Sequence, residues 1–143
     1  MSVNNTFYRA APNTTYHYRI VAANSAGQTA YGTDVSFTTL ALAPTVTTQA
    51  ATSITATSAQ MNGTINPNGM KTSVYFQYGT TTGYGSSSAP GDFGSGHSAV
   101  SGSTTLNRAA PNTTYHYRIV AANSAGQTAY GTDVSFTTLA AVP

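Results

Sequence analysis

The chain has 143 residues, enough for one β-sandwich of about 100 residues and a remainder. Only 6% of the residues are charged and the formal net charge is +2, with five cations against three acids and no Lys/Arg cluster, which argues against a nucleic-acid partner. There is no cysteine, so a disulfide framework and a thiolate metal site are excluded, and no apolar run is long enough to insert in a bilayer.

Low charge can signal disorder, but disorder goes with few aromatics and high net charge. Ten Tyr, five Phe and an abundance of Thr point instead to pleated, half-buried surfaces, and so to an all-β fold. The opening residues Met1-Ser2-Val3-Asn4-Asn5 are polar and do not read as a signal peptide.

The first recognisable element is a repeat. Arg9 to Ala41 reads RAAPNTTYHYRIVAANSAGQTAYGTDVSFTTLA, and Arg108 to Ala140 reads the same letter for letter. The offset is one sandwich length, and the identity extends to positions that must face solvent. The identity does not continue through the eight residues before Arg9, although Phe7 stands where Leu106 does. The organisation is therefore a last third (residues 1–41, two or three strands) followed by a whole module (residues 42–143).

Within the module, Pro44 to Ile54 reads as an edge strand with proline at its start, where a missing N–H is tolerated. Ala59, Met61, Gly63 and Ile65 alternate with polar residues as a half-buried strand. Pro67-Asn68-Gly69 is a turn, and Val74, Phe76 and Tyr78 form the inward side of the next strand. Gly79 to Ser95 reads as loop with one short strand inside it, and Ser98 to Leu106 as a further strand. Tyr115, Tyr117, Ile119 and Ala121 are expected inward, with His116, Arg118 and Val120 outward. Asn123 to Gly126 turns the chain, and Tyr130 to Thr138 closes the sheet with Val134 and Phe136 inward. About seven strands at this spacing indicate a sandwich.

Pro111-Asn112-Thr113-Thr114-Tyr115, the alternating Tyr-Ile-Ala run, Asn123 to Gly126 and Phe136-Thr137-Thr138 together resemble the second half of a fibronectin type III domain. Asn62 to Gly69 with Tyr75 to Thr81 resembles the version found in tandem arrays of secreted bacterial proteins. The resemblance implies a seven-stranded immunoglobulin-like β-sandwich plus an extra N-terminal hairpin, in a protein that is secreted or on a cell surface. It also implies that Tyr115 is a tyrosine corner, its hydroxyl bonded back to the backbone near the turn. Ala109 stands where the family carries a large aliphatic residue.

Candidate chemistry is sparse. His17 and His116 occupy the same repeat position and read as solvated imidazoles on an outward face, without a ligand set around them. His97 near Asp92, among serines, is a weak Ser-His-Asp signal. A glycosidase needs two carboxylates across one cleft, and the whole module holds only Asp92 and Asp133. Asn4, Asn13, Asn62 and Asn112 begin Asn-x-Ser/Thr triplets, which arise by chance in a Thr-rich chain. Arg19 and Arg118 read as solubilising charges, with stacking on nearby tyrosines the alternative. No catalytic residue, cofactor or metal site is expected.

The leading third carries Tyr16, Tyr18, Ile20, Val35 and Phe37 on one face, with no strands of its own to cover them. A bare hairpin is marginal in water, and burying such side chains stabilises by roughly 1.5–3 kcal/mol each. The link from Leu40 to Pro44 reaches only about 17 Å, too short to seat this piece on its own module across a strand of about 26 Å. The expected function is thus a non-catalytic extracellular structural module that self-associates through residues 1–41, by strand exchange or hairpin packing, into a dimer or filament. The alternatives are a carbohydrate- or surface-binding adhesion module using Tyr130, Tyr84 and the Gly79–Ser95 loop, and a spacer of a secreted enzyme.

Overall fold

The computed structural model describes residues 1–142. These contain no helix and divide into two compact units, Met1–Leu42 and a second from Ala43 onward. In the second unit, β5 (Thr45–Thr52), β6 (Ala59–Asn66) and β10 (Val100–Leu106) form a three-stranded antiparallel sheet in the order β10-β6-β5. The facing sheet is built on β7 (Thr72–Gly79) and β11 (Thr114–Asn123), with β12 (Thr128–Tyr130) and β13 (Val134–Thr137) along β11. Two short strands, β8 (Ser86–Ser87) and β9 (Gly91–Asp92), pair with β7. This is the two-sheet arrangement of an immunoglobulin-like, fibronectin type III β-sandwich.

The core lies where the alternation placed it. Ala59, Met61 and Ile65 of β6 meet Val74 and Phe76 of β7, Tyr117, Ile119 and Ala121 of β11 and Phe136 of β13, all buried. Gly63 interrupts the inward row of β6 for a steric reason. A Cβ there would stand 2.7 Å from the Cδ1 of Ile119, so the missing side chain is what lets the sheets close. The turn after β6 uses Asn68 and Gly69 at φ of 54° and 88°, the left-handed region these two residues tolerate best.

Several expectations need correction. Val120 does not face solvent: it is fully buried on the outer side of β11, outside the main core. Its cross-strand neighbours in the sheet are Tyr75 and Tyr130. Tyr130 to Thr138 is not one strand. Gly131-Thr132-Asp133 separates β12 from β13. At Gly131 a Cβ would run into the Thr48 Oγ1, so the chain passes against β5 here instead of extending as a ladder. The Gly79–Ser95 loop holds two short strands, not one.

In the first unit, β1 (Thr15–Tyr18) pairs with β4 (Val35–Thr38), and β2 (Val21–Ala23) with β3 (Thr29–Tyr31). The same letters that make one continuous strand in β11 are broken here at Arg19 and Ile20.

Candidate functional site

The repeated hairpin carries its own hydrogen bonds in both places. The Ala110 N–H donates to the Tyr115 hydroxyl at 2.8 Å, and the Ala11 N–H to the Tyr16 hydroxyl at 2.9 Å, so the corner forms twice. Thr138 and Thr39 each donate through Oγ1 to a backbone carbonyl at 2.6 Å, that of Ala110 and of Ala11. Asn123 and Asn24 accept backbone N–H bonds two and four residues on, closing the turn that follows β11 or β2. The ring contacts recur too: Tyr115 lies 5.8 Å from Phe136, and Tyr16 lies 5.8 Å from Phe37. These local bonds therefore form in both copies, whatever lies against them.

Burial is what differs. Tyr117, Ile119 and Phe136 are 0%, 0% and 6% exposed, and their counterparts Tyr18, Ile20 and Phe37 are 57%, 60% and 39% exposed. Val35 is also exposed, and Tyr16 is half-buried. The five residues singled out from the sequence thus do gather along one hairpin. One further residue joins them: the Phe7 ring lies 4.9 Å from Tyr16 and 6.5 Å from Phe37. Its match in position to Leu106, which is buried in the second unit, was the available signal. Phe7, Tyr18, Ile20, Val35 and Phe37 line an open groove with Val3, Asn4 and Asn5.

A second cluster lies on the outer face of the β7–β11–β12 sheet. The Arg118 guanidinium is 4.3 Å from the centre of the Tyr130 ring and 4.9 Å from that of Tyr84, and its Nε donates to Gln77 Oε1 at 2.8 Å. The Tyr84 hydroxyl donates to Asp133 Oδ1 at 3.0 Å, and Asp133 Oδ2 lies 2.8 Å from His116 Nδ1. Burial first, and the bond to Asp133 second, push the Tyr84 hydroxyl above its ordinary pKa. Tyr84 holds a φ of 60°, rare for an aromatic residue, and its carbonyl packs where Gly79 has no Cβ. The two tyrosines named as ligand contacts are thus brought together around one cation. Arg118 is a stacked cation, not only a solubilising one, and Arg19 repeats this on Tyr31 at 4.2 Å. His116 and His17 are likewise not bare imidazoles: His17 Nδ1 lies 2.9 Å from Asp34 Oδ2. The pairing joins residues seventeen apart in sequence, which strand periodicity does not reveal.

His97 and Asp92 have other engagements. The His97 ring lies against Gly69 and its carbonyl accepts from Asn66 Nδ2, while Asp92 Oδ1 accepts the Gly94 N–H. Among the described residues no three His, Cys, Asp or Glu gather as a metal site, and no helix is long and apolar enough to cross a membrane.

The fold is an all-β, two-sheet sandwich of the immunoglobulin-like type, with no helix among the described residues. Among solved structures, the chain is similar to the sensor domain of the anti-sigma factor RsgI4 from Pseudobacteroides cellulosolvens. In its short form this domain has a TM-score of 0.54 at 20% identity, over 70% of this chain and 98% of that one. In its long form the TM-score is 0.50 at 22% identity, over 70% and 93%. The fibronectin type III domain of human fibronectin type III domain containing protein 3 aligns at 16% identity and a TM-score of 0.43, over 67% and 85%. No family model and no curated protein matches the sequence.

Proposed function

We propose that the protein is a non-catalytic structural module, secreted or on a cell surface, that self-associates through its leading hairpin. The observation that supports this most directly is the contrast between two identical stretches of sequence. One has its apolar face closed over by a sandwich, and the other presents the same face to solvent. An apolar surface of that kind marks an interaction site. A homotypic partner is favoured because this chain itself builds a surface complementary to these letters.

The test is light scattering at rising concentration on the wild-type chain and on one carrying Tyr18→Asp and Phe37→Asp. The wild type is expected to gain mass towards millimolar concentration, and the variant to stay at 14.7 kDa. A wild type that remains monomeric throughout overturns the reading.

A second reading, recognition of carbohydrate or a cell surface, is favoured by Tyr84 and Tyr130 converging on Arg118 beside Asp133. It predicts glycan-array binding that is lost on Tyr130→Ala.

A further inference from the structure

What covers the trailing copy of the repeat is, by identity of sequence, a docking surface for the leading one. That cover is four strands: β7 beside β11, and β5, β6 and β10 across the core. Phe76 and Val74 lie opposite Ile119 and Ala121 in the β7–β11 ladder. The Tyr117 hydroxyl donates to the Gln49 carbonyl of β5, and the Ile119 N–H to Thr48 Oγ1. The Leu139 N–H donates to the Thr55 carbonyl at 3.0 Å, and the Ser124 N–H to the Lys71 carbonyl at 3.0 Å. Tyr18, Ile20, Leu40 and Ser25 carry the same groups at the same spacing in the leading hairpin.

We propose that the leading hairpin is an interchangeable ligand for β5, β6, β7 and β10 of a second copy, where it replaces that copy's trailing hairpin. The inference rests on the self-association reading and specifies its partner surface. Its own strands are out of reach. A seated leading hairpin places Leu40 beside Thr55, beyond the far end of β5, as Leu139 is placed now. The chain must then enter β5 at Thr45, the length of an eight-residue strand away, about 26 Å. Fully extended, Leu40 to Thr45 covers only about 20 Å. The exchange therefore runs between molecules.

The same identity fixes the balance. Both hairpins offer equal contacts, but the trailing one is tethered, which gives it an effective concentration on the order of millimolar. In the wild type the exchange becomes appreciable only near that chain concentration. Disabling the tethered competitor brings it into the micromolar range.

The experiment uses the full chain. Ile119→Asp puts an uncompensated charge in the core position of the trailing hairpin and leaves the leading one intact. At tens of micromolar this variant is expected to run at a multiple of 14.7 kDa, with a cooperative, concentration-dependent melt. The double variant Ile20→Asp/Ile119→Asp is expected to show neither. Register is read separately, because the chain has no cysteine of its own. Ser73 lies opposite Ala122 in the ladder, so its partner after exchange is Ala23. Mixing an Ala23→Cys chain with a Ser73→Cys/Ile119→Asp chain under mild oxidation is expected to give the mixed 23–73 dimer.

The proposal is overturned if Ile119→Asp matches the double variant in mass and melting, or if only 23–23 dimers form. Should the wild type associate while Ile119→Asp matches the double variant, self-association stands on another surface and the exchange falls. Should Ile119→Asp associate while the wild type stays monomeric at millimolar concentration, the exchange stands and wild-type self-association falls.

Discussion

Tyr117 shows how one hydroxyl joins the two sheets. Its ring is fully buried between Phe76 and Phe136, and its Oη donates to the Gln49 carbonyl on the opposite sheet. Burial pushes its pKa above the ordinary tyrosine value, and that of Tyr84 is raised as well. An unfolded tyrosine loses its proton near pH 10, so above that pH the unfolded chain ionises while the folded chain resists. The stabilisation is thus fully present below about pH 10 and is lost as the pH climbs from there through the folded values. Tyr117→Phe is expected to cost about 1–3 kcal/mol at neutral pH, because the Gln49 carbonyl loses its donor. The same substitution should flatten the alkaline decline, as seen in urea midpoints between pH 8 and 11. An unchanged alkaline decline would show that Tyr117 ionises no later in the folded state than in the unfolded one.

At the scale of the strand, β11 against β1 and β2 is a controlled comparison, since only the surroundings differ. With β7 along its edge and β5 across the core, the sequence runs as one strand from Thr114 to Asn123. Without them it breaks at Arg19 and Ile20, and only the pieces tied by local turn chemistry remain strands. Amide exchange followed by NMR should therefore show Ile119 and Ala121 exchanging only with global unfolding, and Ile20 and Ala22 exchanging orders of magnitude faster. Similar protection at both positions would mean that the leading hairpin is covered in solution. The comparison also explains what could be read from sequence. Period-two alternation gave Met61, Ile65, Phe76, Tyr117, Ile119 and Phe136 because one face of each strand meets a dry core. It misplaced Val120, which is fully buried although it lies outside the core cluster that the inward row builds, and alternation reports only which face a residue is on. The five apolar residues of the leading hairpin were legible through the repeat. Tyr84 and Tyr130 were named and stacking of Arg118 on a tyrosine was an alternative, but the bonds that tie Tyr84 and His116 to Asp133 were not legible, because they join the loop after β7 to the β12–β13 turn through side chains alone.

At the scale of the molecule, the two units differ in what can make them cooperative. The second owns a continuous core, so its unfolding should be a single transition. The first has local hydrogen bonds and a partial aromatic cluster but leaves most of its large apolar side chains exposed, which gives it little to lose cooperatively. Paired substitutions at equivalent positions separate these contributions. Ile119→Ala removes a fully buried side chain and should cost about 2–5 kcal/mol. At roughly 4–8 °C per kcal/mol for a domain of this size, the main melting transition should fall by at least about 8 °C. Ile20→Ala deletes the same atoms from a side chain that is 60% exposed and should leave that transition unmoved in dilute solution. An equal fall in both variants would mean that the two units melt as one. Any sensitivity to Ile20→Ala that emerges only as the protein is concentrated is the signature of association, because a partner that binds only the folded chain raises stability by mass action.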